Sequence, residues 1–138
     1  ITTNDLIYPI FIQQGNTAKQ EIKAMPGQYR YNITGLLTEC EVISKLKIPA
    51  IALFPAIDNG LKTYDGIEAA NPDGLIPQAI YQIKENFPHL GVITDIALDP
   101  YTSHGQDGIL TNNGLIDNDE TIKIILLNLN KPILNVRH

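Results

Sequence analysis

The run Asp95-Ile-Ala-Leu-Asp99-Pro-Tyr-Thr-Ser-His104-Gly-Gln-Asp107-Gly108 gathers three carboxylates and a histidine into one Gly/Pro-punctuated segment, directly after an apolar stretch. Strand side chains alternate between faces. An extended segment would therefore put Asp95, Ala97 and Asp99 on one side and Thr94, Ile96 and Leu98 on the other. Unpaired charges are too costly for a closed hydrophobic core. They fit the C-terminal end of a parallel strand, where α/β enzymes place their ligands. The Pro100 to Gln106 segment can bend the chain back and bring Asp107 to the same space. Three carboxylates can hold a hard cation such as Mg²⁺. They can instead bind a substrate ammonium group, or supply a general acid or base whose pKa is raised by its neighbours. The alternative is that Asp99-Pro100 and Asp107-Gly108 are plain turns and only Asp95 lies near a site. His104, next to glycine in a loop, reads as a hydrogen-bonding residue ahead of a ligand or base. Zinc is disfavoured, with no thiolate or second histidine nearby.

Asp58, Lys62, Asp65, Glu68 and Asp73 form a second polar group, in the loop after another apolar run. They could reach the same face of the fold, but their composition is that of a solvated loop. Tyr8, Tyr29 and Tyr31 read as packing or interface residues rather than catalysts. Cys40 sits at helical spacing with Ile33, Leu36, Leu37, Ile43 and Leu46 and reads as a small core residue rather than a nucleophile.

The elements that would position these residues alternate in type. Leu6 to Ile12 is a dense apolar run, read as a strand, and Pro9 within it suits a first or edge strand. A polar connection with a Pro26-Gly27 turn leads to a helix capped by Asn32. Ile48 to Pro55 lacks the alternation of a half-wet strand and reads as a parallel strand covered on both faces. Asn71-Pro-Asp-Gly opens a second helix whose inner face is Leu75, Ile76, Ala79, Ile80, Ile83 and Phe87. Leu90 to Leu98 reads as the third strand. Ile109 to Ile116 reads as a small hairpin around Asn113-Gly114. Asn118-Asp-Glu would cap a third helix with Ile122, Ile125 and Leu126 inward. This β-α-β-α-β-loop-α order predicts an α/β fold with a parallel sheet. No Gly-x-Gly-x-x-Gly or Walker-type loop follows any strand, which removes the main support for dinucleotide or P-loop binding.

The 138 residues suffice for one domain with a core, and 43% hydrophobic against 18% charged content is globular rather than disordered. A formal charge of −5, with ten scattered Lys and Arg, argues against nucleic acid or an anionic membrane as partner. No apolar run reaches spanning length, and residues 1–4 show no signal-peptide pattern. The single Cys40 excludes an internal disulfide and points to a reducing compartment, read here as the cytoplasm.

The segments Asp5-Leu-Ile-Tyr-Pro-Ile-Phe, Met25-Pro-Gly-Gln-Tyr-Arg-Tyr, Ala52-Leu-Phe-Pro, Tyr64-Asp-Gly-Ile-Glu-Ala-Ala-Asn-Pro-Asp-Gly-Leu75 and Val92 through Gly108 resemble those of the porphobilinogen synthase (5-aminolevulinate dehydratase) family. The resemblance covers about residues 4 to 128. It implies the N-terminal part, about three β/α units, of a (β/α)₈ TIM barrel that condenses two 5-aminolevulinate molecules to porphobilinogen with loss of two waters. It implies a substrate wall formed by Asp95, Asp99 and Asp107. Zinc-using relatives carry cysteines at the positions of Ala97, Asp99 and Asp107, so this chain resembles the aspartate-rich branch, with no catalytic zinc and often Mg²⁺-stimulated. The resemblance also implies a homo-oligomer of octamer type.

The Schiff-base lysines of the family lie on later barrel strands and match no lysine here. Lys123 and Lys131 fall in or near a helix and are not candidates. The chain alone is therefore expected to be inactive, and a non-catalytic remnant or subunit-interacting fragment is the competing expectation. Residues 129–138 depart from the family pattern, and Pro132 would break a continuing helix. A frameshift or truncation near Asn128 is the reading drawn from that departure.

Overall fold

In the computed structural model, residues 1–130 are described. Strands β1 (Ile7–Gln13), β2 (Lys19–Glu21), β3 (Tyr29–Tyr31), β4 (Ala50–Ala56) and β5 (Gly91–Thr94) form one sheet of order β2-β3-β1-β4-β5. The β3/β1, β1/β4 and β4/β5 pairs are parallel, and only the short β2/β3 pair is antiparallel. Helices α1 (Ile33–Lys45), α2 (Leu75–Asn86) and α3 (Asn118–Asn130) complete the described elements. The parallel α/β order is the one the sequence implies.

The sheet is covered on one face. Ile10 and Ile12 of β1 and Ile51 and Leu53 of β4 are buried under Leu36, Cys40 and Ile43 of α1 and Ala79 and Ile83 of α2. Each such Ile or Leu contributes about 1.5–3 kcal/mol by leaving water. The alternate residues face the other way. Phe11 and Phe54 stack there with ring centroids 5.9 Å apart, while Phe54 and Ile93 stay exposed. The expectation that the second strand is covered on both faces therefore fails for the described residues.

Local chemistry sets the helix ends. The Asn32 side chain accepts the Gly35 N–H at 2.9 Å, capping α1 as expected. Helix α2 starts after Gly74 and buries the face predicted for it, with Phe87 partly buried at its C-cap. Tyr8 donates to Glu39 at 3.1 Å, and Tyr31 is buried beside the same carboxylate. The Lys19 ammonium lies 3.9 Å from the Tyr29 ring centre. These tyrosines pack, as expected.

Three expectations need correction. β2 and β3 were not anticipated; they flank the Gly27 turn, whose φ of +80° suits glycine. The third strand ends at Thr94, not Leu98. For α3, the cap is Asp117, which accepts the Glu120 N–H at 3.1 Å, and Ile122 and Leu126 are half exposed. Ile124 and Ile125 are the apolar residues that pack inward, against the core beside residues 67–70. Of the divergent tail, 129–138, the first two residues end α3 and residues 131–138 lie outside the described residues.

Candidate active site

The parallel strands β1, β4 and β5 end on one edge of the sheet, and the loops that follow them build the site. The loop after β4 is fixed to the loop after β5. The Thr63 N–H donates to the Tyr101 carbonyl at 3.2 Å, and the Ser103 N–H donates to the Thr63 carbonyl at 2.8 Å, a single parallel bridge between Thr63 and Thr102. The Thr102 hydroxyl donates to the Gln106 carbonyl at 2.8 Å, closing the second loop on itself. Gly66, with φ of +64°, lies against Thr102, where a Cβ would come within 3.2 Å of its methyl group. Two loops that sequence alone leaves independent thus form one unit.

Asp95 follows Ile93 on the uncovered face and lines a shallow recess with Ala52, Phe54 and Ile93. Beyond it the backbone leaves the sheet, so strand alternation does not carry Asp99 to that face. A turn does so instead. Leu98 is fully buried, and its N–H donates to Asp107 Oδ1 at 2.6 Å. That bond draws the far end of the loop back, as the Pro100 to Gln106 segment was read to allow. Burial raises the Asp99 pKa above the ordinary carboxylate value, and the charges of Asp107 and then Asp95 push it further up, while Lys62 opposes them. The three aspartates therefore share one electrostatic environment.

His104 is a structural residue. Its Nδ1 accepts the Gln106 N–H at 3.2 Å, which leaves Nε2 to donate to the Tyr64 carbonyl at 3.0 Å, and its ring meets Tyr64 edge-on. The Tyr64 hydroxyl donates to the Leu110 carbonyl at 3.0 Å, tying in the hairpin around Asn113-Gly114 that the sequence predicts.

The second polar group divides. The Asp58 carboxylate accepts the Gly60 N–H, Asp65 accepts from the Thr63 hydroxyl and the Ile67 N–H, and Glu68 accepts from the Asn71 amide. Asp73 has its own N–H bound by the Asn71 side chain. These are turn-forming roles. Lys62 is different. It lines a cavity of about 400 Å³ with Phe11, Met25, Arg30, Pro55 and Pro100, beside Asp99. Arg30, in the same lining, was not singled out from the sequence. The signal was present in Tyr29-Arg30-Tyr31, where burial of Tyr31 on the covered face sends Arg30 to the other.

Residues 1–129 match the family described as delta-aminolevulinic acid dehydratase. The chain belongs to that family. A delta-aminolevulinic acid dehydratase of Bradyrhizobium diazoefficiens is 46% identical over 126 residues, 91% of this chain and 35% of that protein. The one of Chlamydia pneumoniae is 44% identical over 90% of this chain and 37% of its own length, and a chloroplastic one of Pisum sativum is 44% identical over 86% and 30%. The crystal structure of the Toxoplasma gondii delta-aminolevulinic acid dehydratase (porphobilinogen synthase), in complex with the reaction product porphobilinogen, superposes with a TM-score of 0.89 at 39% identity. That superposition covers 93% of this chain and 36% of the other. The chain thus spans about a third of the length of these dehydratases, and its sheet corresponds to the N-terminal part of their TIM barrel.

No group of three or more His, Cys, Asp or Glu side chains among the described residues is arranged to hold a metal ion. No described helix is long and apolar enough to cross a membrane.

Proposed function

We propose that this chain supplies the aspartate wall of a porphobilinogen synthase site, where Asp95, Asp99 and Asp107 receive the ammonium group of 5-aminolevulinate. The observation that carries this reading is the convergence of the three carboxylates at the C-terminal edge of a parallel sheet in a chain of this family. Clustered carboxylates attract a cationic amine. Asp99, its pKa raised, is suited to exchange a proton with that amine as it becomes a nucleophile. Asp107 is held in place by the Leu98 N–H. The family reaction joins two 5-aminolevulinate molecules with loss of two waters through lysine Schiff bases, chemistry suited to a desolvated amine attacking a ketone. No lysine of this chain matches those lysines.

The donor set lacks the thiolates a catalytic zinc would use, since Ala97, Asp99 and Asp107 stand at those positions. The three aspartates do not build a magnesium cage either. In this reading Mg²⁺ stimulates the intact enzyme from elsewhere, and no step here passes through it. A homo-oligomeric assembly and a cytoplasmic location complete the proposal. The buried, unpaired Cys40 supports a reducing compartment.

Two measurements test the reading. Isothermal titration of the 138-residue chain with 5-aminolevulinate methyl ester, which keeps the amine and lacks the free carboxylate, should show binding that weakens about tenfold in Asp99→Asn or Asp107→Asn. Levulinate, which lacks the amine, should be indifferent to both substitutions. An ester affinity unchanged by either substitution would overturn the proposal. In a porphobilinogen colour assay the chain alone should give no product, and turnover near that of an intact relative would refute the assignment of the lysines to other segments.

A further inference from the structure

The uncovered face of the sheet carries one row of side chains with opposite charges at its two ends. Register places Arg30 of β3 beside Phe11 of β1, and Phe11 beside Phe54 of β4. Leu53 pairs with Thr94, so Asp95 comes next to Phe54, and the two line one recess with Ala52 and Ile93. From β3 to the end of β5 the row therefore reads Arg30, Phe11, Phe54, Asp95. It is a cation, two rings with centroids 5.9 Å apart, and a carboxylate. The row below it on the same face is Pro9, Ala52 and Ile93.

Parallel sheets are ordinarily covered on both faces, and a TIM barrel closes this one with its own later strands. The chain spans about a third of the length of its relatives, and the described residues leave Phe54 and Ile93 exposed. The ion pairs among the described residues are Lys45–Glu41 and Lys123–Glu120, which use neither Arg30 nor Asp95. A face with this order of groups is complementary to itself. A two-fold contact puts the same patch on both partners. With the axis parallel to the strands, two sheets packed face to face set each row over the other in reverse order. Arg30 then meets the partner's Asp95, and Phe11 meets the partner's Phe54. With the axis across the strands, Arg30 would meet the partner's Arg30, and like charges oppose that arrangement. Packed sheets lie about 10 Å apart, within the combined reach of an arginine and an aspartate side chain.

We propose that this face binds a second copy of the chain about a two-fold axis parallel to β1 and β4, each copy's Arg30 pairing with the partner's Asp95. The contact buries the Phe11–Phe54 stack and Ile93, and this apolar centre excludes water beside the two ion pairs. Asp99 and Asp107 lie in the loop past the row and take no part, so the dimer stands or falls separately from the functional reading above.

The test is sedimentation velocity of the 138-residue chain over a micromolar concentration series. Wild type should form a dimer that weakens as salt is raised. Arg30→Asp and Asp95→Arg should each weaken it at least about tenfold, because like charges replace both ion pairs. An equimolar mixture of the two variants should restore a dimer near wild-type strength, since each supplies the charge the other lacks, and that recovery also verifies their folding. Asp99→Asn and Asp107→Asn should leave the dimer in place. A wild-type chain that stays monomeric throughout would overturn the proposal, as would a wild-type dimer that strengthens with salt. Dimers or aggregates indifferent to both charge reversals would move the contact to the edge of β5 or to α3 and overturn it too. So would variants that weaken association without recovery on mixing. A monomer that sediments instead with the intact dehydratase of Bradyrhizobium diazoefficiens would assign the face to that enzyme and sink the second copy.

Discussion

The Leu98 N–H donates to Asp107 Oδ1 at 2.6 Å across nine residues, joining a fully buried backbone position to a solvent-facing carboxylate. This one bond replaces the strand ladder that β5 gives up after Thr94, and it sets the distance at which Asp107 acts on Asp99. It also separates two effects of substitution. Asp107→Asn keeps an acceptor and should cost under about 1 kcal/mol, whereas Asp107→Ala orphans a backbone N–H and should cost about 1–3 kcal/mol. Urea denaturation of the two variants measures the difference, and equal losses would show that the bond does not hold the loop.

The pH response of Asp99 has a definite sign. Its pKa is raised in the folded state by burial and by the charges of Asp107 and Asp95. Its contribution to stability is complete below the unfolded carboxylate pKa, about 4, and is lost as pH rises through the higher folded value. Asp99→Asn should therefore match wild-type stability at pH 3 and exceed it at pH 7. Carboxyl ¹³C titration should find the Asp99 midpoint above the ordinary value, falling in Asp107→Asn.

Gly35 is buried in α1, where a Cβ would overlap the Ala18 carbonyl oxygen. That oxygen also accepts the Asn32 N–H at 3.3 Å, so the approach is part of the helix start. Helix propensity favours alanine over glycine by about 1 kcal/mol. Gly35→Ala should nonetheless lower stability by about 2 kcal/mol or more, because backbone must move. A rise in melting temperature would contradict the close approach.

Cys40 is fully buried, and burial, with Glu39 adding to it, pushes its thiol up to about 12. The thiol should resist a disulfide reagent at pH 8 in the folded chain and react once urea unfolds it, at a rate that follows the unfolded population. Fast labelling without denaturant would place Cys40 outside the core.

Much of this was legible in the residues. The faces of α1 and α2 follow from apolar spacing because both helices pack on the sheet, where burial enforces the pattern. The carboxylate loop was legible because Asp95, Asp99 and Asp107 follow an apolar run within thirteen residues, but spacing alone did not separate a cluster from turns at Asp99-Pro100 and Asp107-Gly108. What failed did so for physical reasons. Lys19-Gln-Glu21 carries no apolar signal, so β2 could not be seen. Residues Ile96 to Leu98 look strand-like by alternation, but the Leu98 N–H bonds to a side chain instead of a neighbouring strand. In α3, Ile122 and Leu126 have helical spacing, but the described residues leave them uncovered.

Sequence by itself determined the alternation of elements, the resemblance to the porphobilinogen synthase family and the concentration of carboxylates after the third strand, since these depend on residue type and near-neighbour spacing. Tertiary structure alone decided that a turn rather than a strand assembles the three aspartates. It alone showed that Lys62 and Arg30, 32 positions apart, face one cavity while Asp58, Asp65 and Glu68 serve their own turns. Those outcomes rest on long-range hydrogen bonds between loops, above all the Thr63–Thr102 bridge, which no local pattern encodes.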